Sequence, residues 1–204
     1  MKILPESPEA LEEALLALRG GGIVIHATET CYGITCDLTS EDAVKDLFDS
    51  KMRPVDQPVS ALFSSIDAAR SYVTVSPKAE ELAAKYLPGP LTLVLTKKYD
   101  ASPLWVTASG GGNDEHIGVR ISSHPFAMEL AKAFGKPIAT TSANLHGKPS
   151  PYSVAEIKAQ WEESLLLPDL IIDADVLPVA PPSTVVRVNV GGIRILRQGN
   201  VIVE

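Results

Sequence analysis

One α/β domain built on a mixed sheet is what this sequence predicts, and three observations carry that expectation. Helical stripes alternate with short apolar runs along most of the chain, the pattern of layered α/β folds. The last two strand-like runs are joined by Gly191-Gly192, a two-residue turn that demands antiparallel pairing. The 204 residues are 45% hydrophobic and 21% charged, which suits one substantial core.

The elements follow in order. Ser7-Pro8 joins an N-cap residue to proline at the first helical position, and Leu11, Ala14, Leu15 and Leu18 recur at helical spacing. Gly20-Gly21-Gly22 stops that helix. Ile23 to Ile25 reads as a buried strand, and His26 to Gly33 as a polar loop. Ser40 caps a helix whose Ala43, Val44, Leu47 and Phe48 share one face and which runs into Lys51. Val59 to Phe63 is a short strand, and Ser65 opens another helix. Ser76-Pro77 repeats the Ser-Pro opening, with Pro88-Gly89-Pro90 as its stop and the β-rich Leu91 to Thr96 beyond.

Ser109 to Asn113 is rich in glycine and offers little to bury, so it reads as a loop that could close over a ligand or lie passively on the surface. Ile117 to Ile121 is a strand, Pro125 to Phe134 a helix closed by Gly135, and Pro137 to Thr141 a strand leading into Ser142. Ser153 to Trp161 is the last long helix. Val185 to Val190 and Ile193 to Leu196 form the closing hairpin.

A net charge of −7 argues against a domain that coats nucleic acid through its overall field, while leaving room for a local basic groove. No apolar run reaches membrane-spanning length, so no membrane association is expected. Met1-Lys2-Ile3-Leu4-Pro5-Glu6 turns acidic before an apolar stretch forms, which does not fit a secretory signal. Cys31 and Cys36 make no CxxC, and reduced, buried thiols in a cytoplasmic protein are the expectation. GxxxxGK[ST], GxGxxG and GxSxG are all missing, and the four histidines have no metal-ligand spacing.

Two polar triplets remain. Lys51-Met52-Arg53 follows a helix, and Ser142-Ala143-Asn144 follows a strand. Each alone has an ordinary reading, as a solvated basic helix end and as a turn. Together they supply two cations and two uncharged hydrogen-bonding groups, a set suited to a nucleoside triphosphate. The second triplet lies just past a strand end, where open α/β sheets bind ligands. Arg120 falls in a strand, where an unpaired guanidinium is costly to bury, so a carboxylate or ligand partner is expected.

The motif order is Ala27-Thr28-Glu29-Thr30-Cys31-Tyr32-Gly33, Lys51-Met52-Arg53-Pro54, Pro88-Gly89-Pro90-Leu91-Thr92, Gly118-Val119-Arg120-Ile121 with His124-Pro125, Thr141-Ser142-Ala143-Asn144-Leu145, Gly147, Ser150-Pro151, Ser183-Thr184-Val185-Val186 and Ile195-Leu196-Arg197-Gln198-Gly199. This resembles the YrdC/TsaC family of L-threonylcarbamoyladenylate synthases over nearly the whole chain. The resemblance implies one YrdC-like domain over residues 1–204, a twisted mixed sheet with flanking helices around a concave, positively charged cavity. It implies a nucleotidyltransferase that condenses L-threonine, bicarbonate and ATP into threonylcarbamoyl-AMP and pyrophosphate. The product would pass to a threonylcarbamoyl transferase complex that modifies tRNA to threonylcarbamoyladenosine, with tRNA or other RNA as a further possible contact.

By the same resemblance, Lys51 and Arg53 serve catalysis, and Lys51, Arg53, Gln57, Ser142, Asn144, Ser150 and Arg197 bind ATP. Arg120 binds the threonine carboxylate, with Thr30, Thr140 and Ser183 around the amine and hydroxyl. Mg²⁺ would be held mainly by the ATP phosphates, with no metal ligated by the chain itself. The chain differs from the usual pattern at His26-Ala27-Thr28, where the family has Tyr-Pro-Thr, and at Gln57, Leu62 and His116. An RNA-binding module of the same fold without adenylate chemistry, or a relative acting on another amine, are the competing readings.

Overall fold

The computed structural model of the chain describes residues 1–106, 115–162, 164, 166–189 and 191–203; the Ser109–Asn113 segment lies outside the described residues. In chain order the strands are β1 (Lys2–Pro5), β2 (Val24–Ala27), β3 (Tyr32–Thr35), β4 (Ser60–Leu62), β5 (Leu91–Thr96), β6 (His116–Arg120), β7 (Ile138–Ser142), β8 (Leu170–Asp173), β9 (Thr184–Asn189) and β10 (Gly192–Arg197). The helices are α1 (Pro8–Arg19), α2 (Glu41–Ser50), α3 (Ile66–Ala69), α4 (Pro77–Tyr86), α5 (Pro125–Phe134) and α6 (Val154–Trp161). No helix among the described residues is long and apolar enough to cross a membrane.

The strands form one mixed sheet in the order β1-β8-β2-β3-β7-β4-β6-β5-β9-β10. The hairpin β9–β10 is antiparallel, while β4 with β6 and β5 with β9 run parallel. Serine hydroxyls start five of the six helices: Ser7, Ser40, Ser65, Ser76 and Ser153 each accept from the backbone N–H three residues on. The sixth, α5, starts at Pro125 without a side-chain cap and closes at Gly135, whose φ of 75° is left-handed.

Three strands were not expected from the sequence. β3 is wholly buried although its segment looks like the end of a polar loop, and it pairs antiparallel with both β2 and β7. β1 and β8 are short and pair with each other across the length of the chain, Lys2 opposite Leu170. Four-residue strands whose partners are this distant carry no local periodicity to detect.

Burial on the two sheet faces is unequal, and this places the site. One face is covered by α2, α4 and α6, through residues such as Leu47, Phe48, Leu82 and Trp161 against Ile25, Ala61, Leu93 and Val119. The other is covered only along part of its width. There α1 and α5 bury Leu18, Phe126 and Leu130 against Val24, Leu62, Ile138 and Ile172. Since successive side chains alternate between faces, the uncovered part presents the alternate residues of β5, β6 and β9: Thr92 and Val94, Gly118 and Arg120, Val185 and Arg187. All six line a cavity.

Candidate active site

The cavity holds about 600 Å³, within the range of small-molecule sites. Its walls bring together eight of the residues expected from the sequence: Arg53, Ser142, Ser150 and Arg197, with Thr30, Arg120, Thr140 and Ser183. Lys51, Gln57 and Asn144, also expected at the site from the sequence, are not among the residues that line the cavity.

Lys51 shows why. It terminates α2 at 2% exposure, and its ammonium donates to the main-chain carbonyls of Ser142 and Asn144. Burial, then the nearby Arg53 charge, lowers its pKa to about 7. The return contact is the His146 N–H, which donates to the Lys51 carbonyl at 2.9 Å. Asn144 turns its amide inward, donating to the carbonyls of Leu145 at 3.0 Å and Lys148 at 2.7 Å, and its Oδ1 accepts from the Ser142 hydroxyl. The two triplets thus form one knot, in which Lys51 and Asn144 hold the turn that presents Ser142.

Arg53 reaches the cavity. Its Nε donates to the Gln57 carbonyl at 3.1 Å and its Nη2 to the Pro58 carbonyl at 3.0 Å, while the guanidinium lies 5.7 Å from the Phe48 ring centroid. Carbonyls orient it without neutralising it. The Gln57 side chain is exposed, and the residue acts here through its backbone.

At the other end, Thr28 organises the loop between β2 and β3. Its Oγ1 accepts from the N–H groups of Thr30 and Cys31 and donates to the Cys31 carbonyl at 2.8 Å; the Thr30 hydroxyl lies 3.0 Å away. Arg120 does have a carboxylate partner, and it comes from the chain itself. Arg120 Nη2 donates to Glu29 Oε1, and the Ser122 hydroxyl donates to Glu29 Oε2. The ion pair is nearly buried, at 11% and 12% side-chain exposure, and Arg120 Nε is buried without a partner. Glu29 was visible in the sequence, between two threonines, but nothing local marked it as the counterion of a residue 91 positions away.

Ser183 joins Thr92 of β5 to Arg197 of β10. Its hydroxyl lies 3.0 Å from Thr92 Oγ1, and Arg197 donates to both its carbonyl and its hydroxyl at 2.9–3.1 Å. Burial, followed by the Arg120 charge, lowers the Arg197 pKa. The approach needs a glycine next door, because a Cβ on Gly199 would lie 2.0 Å from the Pro182 carbonyl oxygen.

Chemically this is a basic, hydroxyl-rich basin without an activated nucleophile. Cys31 is on the wall, but burial raises its pKa and keeps it a thiol. Both cysteines are free and buried. Glu115 is the only carboxylate on the wall among the described residues, and no group of three or more His, Cys, Asp or Glu could hold a metal there. This donor set suits a divalent cation only when the ligand brings most of its oxygens. The arrangement fits a polyanion beside a small polar molecule, with electrostatic stabilisation where charge develops.

Comparison with known proteins places the chain by sequence and fold. Residues 16–199 match the Sua5/YciO/YrdC family model, which carries the description "telomere recombination". A protein of Xanthomonas campestris pv. campestris named threonylcarbamoyl-AMP synthase is 34% identical over 194 residues, covering 93% of this chain and 98% of its own. The crystal structure of P. abyssi Sua5 complexed with L-threonine superposes with a TM-score of 0.84 at 32% identity; it matches 97% of this chain, which spans 57% of that longer one. E. coli YciO shares the fold at a TM-score of 0.81 and 24% identity, over 97% of this chain and 94% of its own. With the family model matched over residues 16–199 and a relative 34% identical over 93% of this chain, the chain belongs to the Sua5/YciO/YrdC family.

Proposed function

We propose that this chain is an L-threonylcarbamoyladenylate synthase acting on L-threonine, bicarbonate and ATP. The observation that carries the reading is the convergence of Arg53, Ser142, Ser150 and Arg197 with Thr30, Arg120, Thr140 and Ser183 on one cavity wall. A curated relative of that name, matched over nearly its whole length, supports it.

In this reading the threonine amine attacks the carbon of bicarbonate, forming the N–C bond and releasing water. A carboxylate oxygen of the resulting carbamate then attacks the α-phosphorus in line, and the bond to pyrophosphate breaks. Arg53 and Arg197 offset charge on the phosphates, and Ser142 and Ser150 orient them. Arg120 takes the amino-acid carboxylate through a donor edge that Glu29 leaves free. Thr30, Thr140 and Ser183 supply partners for the amine and hydroxyl, a type of contact that discriminates well against analogues lacking the group. Lys51 keeps Ser142 in place. Mg²⁺, when bound mainly through the ATP phosphates, would supply charge neutralisation of the leaving pyrophosphate. The product is an activated acyl-adenylate, and the reaction that consumes it is transfer of its threonylcarbamoyl group to tRNA.

The test is pyrophosphate release with ATP, Mg²⁺ and bicarbonate, comparing threonine, serine and no amino acid. Threonine-dependent release is expected, falling at least 100-fold in Arg53→Ala with an unchanged melting temperature. Release that ignores threonine, or full activity in Arg53→Ala, would overturn the assignment.

A further inference from the structure

The cavity floor carries one arginine that the proposed reaction does not use. Arg187 lies on β9, opposite Val94 of β5 on one side and opposite Arg194 of β10 on the other. It lines the cavity, and its Nε is buried without a hydrogen-bond partner. No ion pair joins Arg187, Arg53 or Arg197 to a carboxylate among the described residues, whereas Arg120 is neutralised by Glu29.

This placement is unfavourable for the fold alone. Like charges directly opposite on neighbouring strands repel, and a buried guanidinium nitrogen with no acceptor carries a desolvation cost. Both penalties are relieved by an anion in the cavity. The neighbouring strands leave room for one. Gly118, in register with Val94, lines the cavity and adds no side chain to its floor.

The ligand chemistry follows from charge and spacing. Arg187 is four residues on from Ser183, which immediately precedes β9, roughly 13 Å at the usual rise per residue. Its Cα is therefore well beyond the part of the floor where Ser183 would meet an amino acid. Three guanidinium groups without carboxylate partners also exceed what a single carboxylate can offset. We propose that Arg187 builds a polyphosphate subsite at the β9–β10 end of the cavity, holding the distal phosphates of a nucleoside triphosphate and the pyrophosphate product. The inference rests on the synthase reading for its nucleotide, but pyrophosphate binding can be measured without turnover.

The probe is inorganic pyrophosphate, titrated calorimetrically into the wild-type chain, Arg187→Gln and Arg187→Lys at two salt concentrations, with AMP and threonine titrated separately. The expected result is at least tenfold weaker pyrophosphate binding in Arg187→Gln, partial retention in Arg187→Lys, and a shallower salt dependence. AMP and threonine affinities should stay within twofold. Turnover by Arg187→Gln should show a raised KM for ATP with the KM for threonine unchanged. Pyrophosphate affinity within twofold of wild type in a folded Arg187→Gln, or no binding by the wild type, overturns the subsite. Unchanged pyrophosphate binding with weakened binding of a structured RNA would assign Arg187 to nucleic acid and also overturn it. If the wild type binds pyrophosphate but forms no pyrophosphate from threonine, the synthase reading fails while the subsite stands.

Discussion

At the scale of single residues, the site depends on how each charge is satisfied. Arg53 and Arg197 are held by main-chain carbonyls, which fix direction and leave the positive charge available. Arg120 is held by a carboxylate, so its charge is balanced before any ligand arrives. Replacing Glu29 with Gln keeps the shape and removes that balance, leaving a nearly buried cation unpaired. Such a change costs about 3 kcal/mol. The expected outcome is a lower urea midpoint, with Arg120→Met partly restoring it; an unchanged midpoint in Glu29→Gln would mean that the pair is not coupled to folding.

At the scale of elements, the helices are specified locally and the strands largely are not. Five serine caps set helix starts within a residue of where the sequence places them. Each accepts one otherwise unpaired N–H, so Ser40→Ala should destabilise the chain by about 1 kcal/mol. Because α2 ends in Lys51 and so reaches the Ser142–Asn144 turn, the same variant should be checked for activity as well as by thermal melting. A loss of stability under 0.3 kcal/mol would show that the cap is replaced by water. Among the strands, β3, β1 and β8 escaped detection because their burial is conferred by partners distant in the chain. The closing hairpin was legible from its two glycines, although the register places Gly192 at the start of β10 opposite Asn189 and not within the turn, one residue away from where the sequence puts it.

At the scale of the whole molecule, covering only part of one sheet face leaves a basic basin in a chain whose net charge is −7. Beneath the covered part lies His26, fully buried, its pKa lowered to about 4 by burial against the opposing pull of the Ala27 carbonyl, with His124 lowering it further and Glu29 raising it. A group whose folded pKa is depressed below its unfolded value of about 6.5 favours the fold when neutral. That contribution is fully present above pH 6.5 and is lost as pH falls towards 4, amounting to roughly 3 kcal/mol at most. Comparing urea midpoints of the wild type and His26→Phe at pH 7 and pH 4.5 isolates it. The wild type should lose more stability over this interval than the variant, and parallel losses would exclude His26 as the cause.

The sequence by itself determined the α/β class, the helix boundaries, the hairpin and the family, because caps, glycine turns and motif order are local properties of the chain. It also brought to notice most of the residues that line the cavity. Only the tertiary structure decided which side chains meet the cavity and which stand behind it. The Lys51 ammonium holds the Ser142 and Asn144 carbonyls, the Gln57 carbonyl holds Arg53, and nothing local in the sequence marked Glu29 as the partner of Arg120 or Arg187 as a cavity residue. The physical reason is that a charge's role depends on its partner, and these partners lie on strands and turns that the chain brings together only when the sheet assembles.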